Sequence, residues 1–347
     1  MATLKELAER TGYSPATISR ILSGDPELSV SGETRRRVLE AAGAANYAAT
    51  KSRRGRAPKR LLRVGVAEML TPAEQLDDPY YLYLRNFVEQ ACLDGKLSAL
   101  PLRRAGEGFQ APEEGELDGV VAVGIFTPAQ IGALRALSGN VVFLDSSPDE
   151  ANCDSVVLNY RLGIAQALDY LTGLGHTRIG FLGPEYKLDD WKRPAPEERR
   201  RHFISLLEGR GLLDRSLLVD APMDARAAGA ALGAFLASGR PRPTALLCAN
   251  EECAIGAVRA LGEAGLSVPG EISLVSFNDT PLSELVDPPL TSVSVPAAEM
   301  ARTAVRLLCE RANRGERSPV RTLPQKVVVP PALVVRGSAC EKREIAP

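Results

Sequence analysis

The sequence predicts an α/β protein, a doubly wound core of two subdomains preceded by a small all-α helix-turn-helix head. Three observations predict it. From Arg63 onward, short runs that are apolar throughout alternate with amphipathic runs of helical period, as in a parallel sheet covered on both faces. Up to Tyr47, three short helical signatures are punctuated by capping and turn residues. The charge is divided as well: residues 1–60 hold twelve Lys and Arg against six Asp and Glu, and the remainder holds thirty against thirty-seven. A basic head on an acidic body points to a polyanion partner for the head alone, or else to a solvated charged surface.

Composition narrows the class. The 347 residues are 45% hydrophobic and 24% charged, ordinary for a globular chain. No apolar run approaches the roughly twenty residues that span a bilayer. The opening "MATLKELAER" is charged and periodic, unlike a secretory leader. A cytoplasmic location and no membrane partner are therefore expected. The 6 cysteines are scattered, and Cys248 and Cys253 lack C-x-x-C spacing, so buried reduced thiols are expected and no metal site. There is no P-loop, GxGxxG or GxSxG motif and no histidine cluster, only His176 and His202. No catalytic residue, no cofactor and no enzymatic activity are expected. His176, ahead of a strand in "LGHTRIGFLG", reads as structural.

In the head, "TLKE" has the form of a capping box from Thr3 to Glu6, with Leu4, Leu7 and Ala8 on one helical face. Gly12 suits a tight turn. Ser14 suits an N-cap and Pro15 the first helical position. Ile18, Ile21 and Leu22 form the next apolar face. Ser31 can cap a third helix that ends near Gly43. Two helices joined by a turn of about four residues make a helix-turn-helix. Such a unit presents the N-terminal part of its second helix to base edges. Here Pro15, Ala16, Thr17, Ser19 and Arg20 are offered. Ser14, Thr17 and Ser19 can donate to phosphates, and Arg20 can reach a guanine or a phosphate. A generic three-helix bundle is the bland alternative.

In the body, "RVGVAEML", "LDGVVAVG", "NVVFLD", "RIGFLG", "TALLCAN" and "EISLVSFND" read as strands. Between them, "YLYLRNFVEQACLDG", "PAQIGALRAL", "RLGIAQALDYLTGLG", "EERRRHFISLLEGRG" and "EECAIGAVRALGEAG" read as helices. Ligands of such sheets sit beyond the carboxyl ends of the strands. Glu68, Asp145, Asn250 and Asn278–Asp279 end apolar runs there, and carboxylates and amides facing a cleft suit a hydroxyl-rich ligand. Taken singly, each could instead cap a helix or make a turn. Trp191, in the polar stretch "KLDDWKRPAPEE", either roofs the cleft against a sugar face or anchors its loop.

The stretches "TLKELAERTGYSPATISRILSG" and "SGETRRRVLEAAGAANY" resemble the DNA-binding head of the LacI (LacI/GalR) family of bacterial transcription regulators. "LGHTRIGFLG", "ALLCANEECAIGAVRALGEAGLSVPGEISLVSFND" and "PPLTSVSVPAAEMARTAVRLL" resemble landmarks of its body. "MATLKELA", the insert "GDPELSV" and "EQLDDPYYLYLRNFVEQ" are most like the branch that represses the evolved β-galactosidase operon. The resemblance implies that Thr3, Ser14, Ser31, Thr34 and Tyr47 hold the DNA backbone while Pro15, Ala16 and Arg20 face bases. It implies a periplasmic-binding-protein-like core with effector contacts at Asp78, Tyr80, Asp145, Arg199, Asn250 and Asn278, the last where another member has Asp. The family's hinge motif, with its leucine wedge, is missing from "AATKSRRGRAPKRLLR". Arg53, Arg54, Arg56, Lys59 and Arg60 are read there as contacts to phosphates or a narrow minor groove, or as a flexible tether.

The expected domains are a helix-turn-helix unit at 1–47, a basic linker at 48–60 and an effector-binding and dimerisation unit at 61–347. Within the last, one subdomain is expected at roughly 61–160 plus 292–322 and the other at roughly 161–291 plus 323–340. "ACEKREIAP" holds no leucine heptads, so a homodimer on double-stranded operator DNA is expected. The reading is a repressor of sugar-utilisation genes, released by a galactoside-like effector and nucleoid-associated when bound. Another effector (a purine or a different sugar), an activator role and a plain sugar-binding protein are the alternatives.

Overall fold

The computed structural model describes residues 4–22, 25, 28, 30–44, 61–71, 79–112, 115–312 and 319–342. They fall in two compact units, Met1–Arg60 and Leu61–Pro347. The first unit holds helices α1 (Leu4–Thr11), α2 (Pro15–Leu22) and α3 (Gly32–Ala44). Gly12 makes the turn after α1 at φ +76°, a backbone that disfavours any side chain. Ser14 Oγ accepts the Thr17 N–H at 3.1 Å and Ser31 Oγ accepts the Thr34 N–H at 3.1 Å, so both serines cap their helices. Leu7, Ile18, Ile21, Val38 and Ala42 close a small core, one side chain at least from each helix.

The second unit holds two six-stranded sheets. The first is built from β1 (Arg63–Glu68), α4 (Pro79–Asp94) and β2 (Ser98–Pro101), then the hairpin β3 (Arg103–Ala105) and β4 (Gly108–Gln110). It continues through β5 (Gly119–Val123), α5 (Pro128–Leu137), β6 (Val141–Leu144) and β7 (Asp154–Leu158). The second sheet begins after α6 (Tyr160–Gly173) with β8 (Ile179–Leu182), the hairpin β9 (Tyr186–Leu188) and β10 (Pro194–Pro196), and α7 (Glu198–Gly209). It proceeds through β11 (Leu218–Val219), α8 (Ala225–Ala237), β12 (Ala245–Cys248), α9 (Glu251–Glu263) and β13 (Ser273–Asn278). It ends with α10 (Leu282–Leu285) and β14 (Thr291–Ser294). The chain returns through α11 (Ala297–Arg311) and β15 (Lys326–Val329) to the first sheet, and through β16 (Ala332–Val334) to the second.

The sheets run β15-β7-β6-β5-β1-β2 and β11-β8-β12-β13-β14-β16, parallel except for β14 against β16. In both, the first five strands in chain order lie as 2-1-3-4-5, a doubly wound order that places ligands beyond the strand carboxyl ends. Strands β5, β6, β8 and β12 are buried along their whole length, which is why they read as unbroken apolar runs.

The last two crossings between the lobes fall a few residues beyond the approximate bounds expected from the sequence. Thr291–Ser294 pairs with β13 in the second sheet, and Lys326–Val329 pairs with β7 in the first. The second of these is fixed by a charge cluster. Asp154, fully buried at the start of β7, takes both Nη atoms of Arg321 at 2.7 and 3.1 Å, Arg311 at 3.3 Å and the Gln325 N–H at 2.6 Å. These bonds draw the returning chain onto the first sheet just ahead of β15. The linker residues Arg53, Arg54, Arg56, Lys59 and Arg60 lie outside the described residues.

The six cysteines are free thiols, with Cys92, Cys153, Cys248 and Cys253 buried. Burial pushes Cys92 and Cys253 up to about 12 and Cys153 to about 11, so they stay protonated. His176 is buried between Thr244 Oγ1 and the Cys340 carbonyl, 3.0 Å from each, and ties the C-terminal segment to the second sheet. Among the described residues no helix is long and apolar enough to cross a membrane.

Candidate functional site

In the head, α2 turns Ile18 and Ile21 inward, which leaves Ser14, Pro15, Ala16 and Arg20 exposed and Thr17 and Ser19 half-buried. The hydroxyls of Ser14 and Thr17 lie 2.8 Å apart, and those of Ser31 and Thr34 lie 2.9 Å apart. Two helix N-termini therefore carry the same Ser-x-x-Thr cap. Each offers backbone N–H groups and a hydroxyl pair, the donor set that suits a phosphate. Tyr13 bonds Thr34 Oγ1 at 3.4 Å and fixes α3 against the turn. Arg20 is paired with Asp25 at 2.7 Å, its side chain still half exposed. Thr3 and Tyr47 lie outside the described residues.

In the body, a cleft of about 700 Å³ opens between the lobes. Its floor on the first lobe is the end of β6 and the end of β7. Its other wall is the β9–β10 hairpin with the first turns of α7. Asp145 stands at the centre with φ +74°, in the left-handed region where a non-glycine residue is strained. Tyr81 donates its hydroxyl to Asp145 Oδ2 at 3.0 Å, and Tyr160 donates to Oδ1 at 3.4 Å. Burial, and then the Asp145 carboxylate, hold Tyr160 well above the ordinary tyrosine range, so it remains a donor.

Arg199 comes from the first turn of α7. It is 5% exposed and held by Glu197 at 2.7 Å and by the Ala249 carbonyl at 2.7 Å. Its guanidinium also lies over the rings of Tyr160 and Phe277. The Arg199 charge drives Glu197 below its usual range despite burial, and Glu197 in turn raises Arg199. Asp190, on the hairpin, accepts the Ser147 N–H of the opposite lobe, and burial raises its carboxyl. Trp191 lines the mouth with Arg193 over its ring at 4.6 Å.

The charges lining the cleft balance. Asp145, Asp189, Asp190, Glu197 and Glu198 face Arg161, Lys187, Arg199, Arg201 and Lys326. Such a wall suits a neutral ligand rich in hydroxyls better than a phosphorylated one.

Asp145, Trp191 and Arg199 line this cleft together, and Asn250 and Asn278 each follow a residue that touches the Arg199 guanidinium, Ala249 through its carbonyl and Phe277 through its ring. Tyr80 is buried against the neighbouring ring of Tyr81 and does not line the cleft. One residue along a helix is a rotation of about 100°, so Tyr81 takes that place. Asn250 caps α9, accepting the Cys253 N–H at 3.0 Å, and Asn278 ends β13 at φ +95° outside the cleft lining. Glu68 pairs with Arg85 and Asp279 with Arg336, both structural. Asp78 lies outside the described residues. Tyr81, Tyr160 and Asp190 were missed. For Tyr160 the signal was present: an aromatic directly after Asn159, which caps α6 at the end of β7.

Comparison with known proteins follows this geometry. Residues 3–49 match the family model described as bacterial regulatory proteins, lacI family, and residues 168–339 match a periplasmic binding protein-like domain. The chain is 33% identical to the HTH-type transcriptional repressor MelR of Bacillus subtilis, over 99% of this chain and 100% of that one. It is 32% identical to the HTH-type transcriptional regulator GanR of the same organism, over 97% and 99%. Among solved structures, a transcriptional regulator CelR–cellobiose complex aligns over 98% of this chain and 100% of that chain, with TM-score 0.65 and 23% identity. The lac repressor bound to ONPG aligns over 97% and 99%, with TM-score 0.61 and 23% identity.

Proposed function

The chain belongs to the lacI family of bacterial regulatory proteins, and from that premise we propose that it represses sugar-utilisation genes and leaves its operator when a neutral glycoside fills the cleft. The observation that carries the effector half is the Asp145 carboxylate, held by the Tyr81 and Tyr160 hydroxyls and faced by Arg199 and Trp191 in a charge-balanced wall. A carboxylate fixes ligand hydroxyls, and an aromatic face covers the apolar side of a sugar ring. Relatives support the sugar class: a cellobiose complex is known for one fold neighbour and a ribose complex for another. A galactoside or related glycoside is the effector assigned. Roles in this binding are assigned to Asp145, Tyr81, Tyr160, Arg199 and Trp191.

The head, in this reading, docks α2 in the major groove, with Ser14, Thr17, Ser31 and Thr34 on phosphates and Pro15, Ala16 and Arg20 toward bases. Pro15 and Ala16 offer only apolar contact, suited to thymine methyls. Two copies of the chain read two half-sites. The sugar must prefer one arrangement of the lobes, since a ligand with equal affinity for both states shifts nothing. The chain leaves the sugar chemically unchanged.

Fluorescence anisotropy on operator DNA from upstream of the chain's own gene and of neighbouring glycosidase genes tests both halves. Expected are specific binding, a steep fall in affinity with salt and release by one glycoside, recovered intact afterwards. Affinity that barely changes between low and moderate salt would overturn the DNA reading. Specific binding that no sugar reverses would overturn the effector reading.

A further inference from the structure

The cleft does not end at Trp191. A second hollow, of about 360 Å³, lies against the same side chain and is lined by Pro128, Ile131, Pro148, Asp149, Trp191 and Arg193. Trp191 is thus a shared wall, with Asp145 on the inner side and Asp149 on the outer. The outer hollow also bridges the lobes. Pro128 and Ile131 sit on α5, Pro148 and Asp149 follow β6, and Trp191 and Arg193 come from the hairpin of the second lobe.

The tryptophan is held in place. Asp189 Oδ1 accepts the backbone N–H of Trp191 at 2.9 Å and that of Arg193 at 2.9 Å, which fixes the turn that carries the indole. Asp189 Oδ2 takes Arg193 Nε at 2.9 Å and Nη2 at 2.8 Å. Asp189 lies below the ordinary aspartate range despite desolvation, because these bonds favour its charged form. Arg193 is thereby fixed over the indole, 4.6 Å from the Trp191 ring. An exposed aromatic pinned this way forms a rigid stacking platform and loses little entropy when a ligand covers it.

Size agrees with placement. The inner cleft alone falls within the roughly 300–1,000 Å³ of sites for drug-sized ligands, several times the volume of one hexose. The outer hollow offers Asp149 to hydroxyls and the apolar Pro128, Ile131 and Pro148 to a ring face.

We propose that the effector is a linear oligosaccharide, one pyranose ring at Asp145 and Arg199 and the next crossing Trp191 into the outer hollow. This rests on the sugar-effector reading above. A ring there touches both lobes, so its length and not only its inner ring contributes to the choice between lobe arrangements.

Trp191 is the chain's only tryptophan, so its fluorescence reports on this place alone. The full chain is titrated with galactose and glucose, with lactose, melibiose and cellobiose, and with raffinose and cellotriose. Heat and tryptophan emission are both followed. An oligosaccharide is expected to bind at least about tenfold more tightly than its monosaccharide and to shift the emission, as an added stacked ring would. D149A and P148A, which line the outer hollow and not the inner cleft, are each expected to remove much of that advantage and leave monosaccharide affinity within about twofold, whereas W191A weakens both ligands and the oligosaccharide at least about tenfold more, with W191F restoring most of the loss. Monosaccharide and oligosaccharide binding equally well, or D149A and P148A leaving the oligosaccharide advantage intact, would overturn the proposal and leave the sugar reading standing. No binding by any sugar would overturn both.

Discussion

The guanidinium carbon of Arg199 lies 5.5 Å from the ring centroid of Tyr160, the ring whose hydroxyl reaches Asp145. One aromatic ring thus joins the arginine of the second lobe to the aspartate of the first. Removing the arginine does more than empty the cleft. R199A leaves Glu197, 3% exposed, as a buried carboxylate without its cation. The expected loss of stability is about 3–5 kcal/mol, read from the urea midpoint at unchanged slope. Adding E197Q to R199A should recover part of it. A loss below about 1 kcal/mol would mean that water replaces the guanidinium.

The cleft pair also sets an acid limit. Glu197 is depressed below its ordinary 4.5 by Arg199, so its contribution is complete above that pH and is lost as pH falls through the folded value. His176 and His202 act earlier. Burial lowers both below 6.5, so the unfolded chain binds protons first and stability declines as pH falls below 6.5. Urea titrations between pH 7.5 and pH 2 are expected to show two falls. H176N should flatten the upper one and E197Q the lower. An upper fall unchanged in H176N would assign it to His202.

Helix α8 meets α9 through backbone. A Cβ added at Gly256 would lie 2.2 Å from the Ala225 carbonyl oxygen and 2.8 Å from the Gly229 nitrogen. Backbone cannot swing aside as a side chain can. G256A is therefore expected to cost stability, by about 1–3 kcal/mol as other overpacked sites do, although alanine is the better helix former. G262A, on the same helix with nothing within 4 Å, is the control and should be neutral or stabilising. Equal effects at the two positions would contradict the close approach.

How much of this was legible varies with the physics. Six strands between Arg63 and Asp279 (β1, β5, β6, β8, β12 and β13) could be read because burial on both faces makes them apolar almost throughout, whereas the edge strands β2 and β11, the two exposed hairpins and β7, which opens on Asp154 and Ser155, carry no such run. The head could be read because Ser14, Pro15 and Ser31 are capping chemistry that acts within one turn. The last two crossings fall a few residues past the approximate bounds read from the sequence because they are set by contacts remote in sequence, Asp154 with Arg321 above all, whose charges look like any surface pair until they are folded together. In the cleft, Asp145 was legible as a carboxylate ending an apolar run. Asn250 and Asn278 looked the same, but a strand-end amide serves a helix cap or a turn equally well. The choice between Tyr80 and Tyr81 rested on a helical rotation that one position of error reverses.

That same Asp154 cluster makes a stability prediction. D154N keeps the shape and removes the charge that Arg321 and Arg311 share. The expected loss is about 3–5 kcal/mol. Amide exchange should quicken first in β15, which follows the Gln325 N–H bond, and in the adjoining edge of β7. Exchange that quickens uniformly over both lobes would mean that the cluster stabilises the whole unit and not the crossing.

In the DNA-reading role proposed for the head, the choice of bases is assigned to Arg20. Pro15 and Ala16 lie exposed at the start of α2, yet neither side chain can hydrogen-bond a base edge. Arg20 is the long donor on the same helix, and its pairing with Asp25 at 2.7 Å is a half-exposed surface contact, weak enough to yield to DNA. R20A should therefore cost about 1–3 kcal/mol of operator affinity, lost mostly at one G·C pair, so that operators altered at that pair bind R20A and the wild type alike. The salt slope should change little. D25N should leave the head folded and specific, since an exposed pair contributes at most about 1 kcal/mol. Were R20A to weaken every operator equally and make the slope shallower by about one unit, Arg20 would be a phosphate contact. The apolar faces of Pro15 and Ala16 would then carry the direct readout of α2, and operator recognition would rest on thymine methyls and the shape of the duplex.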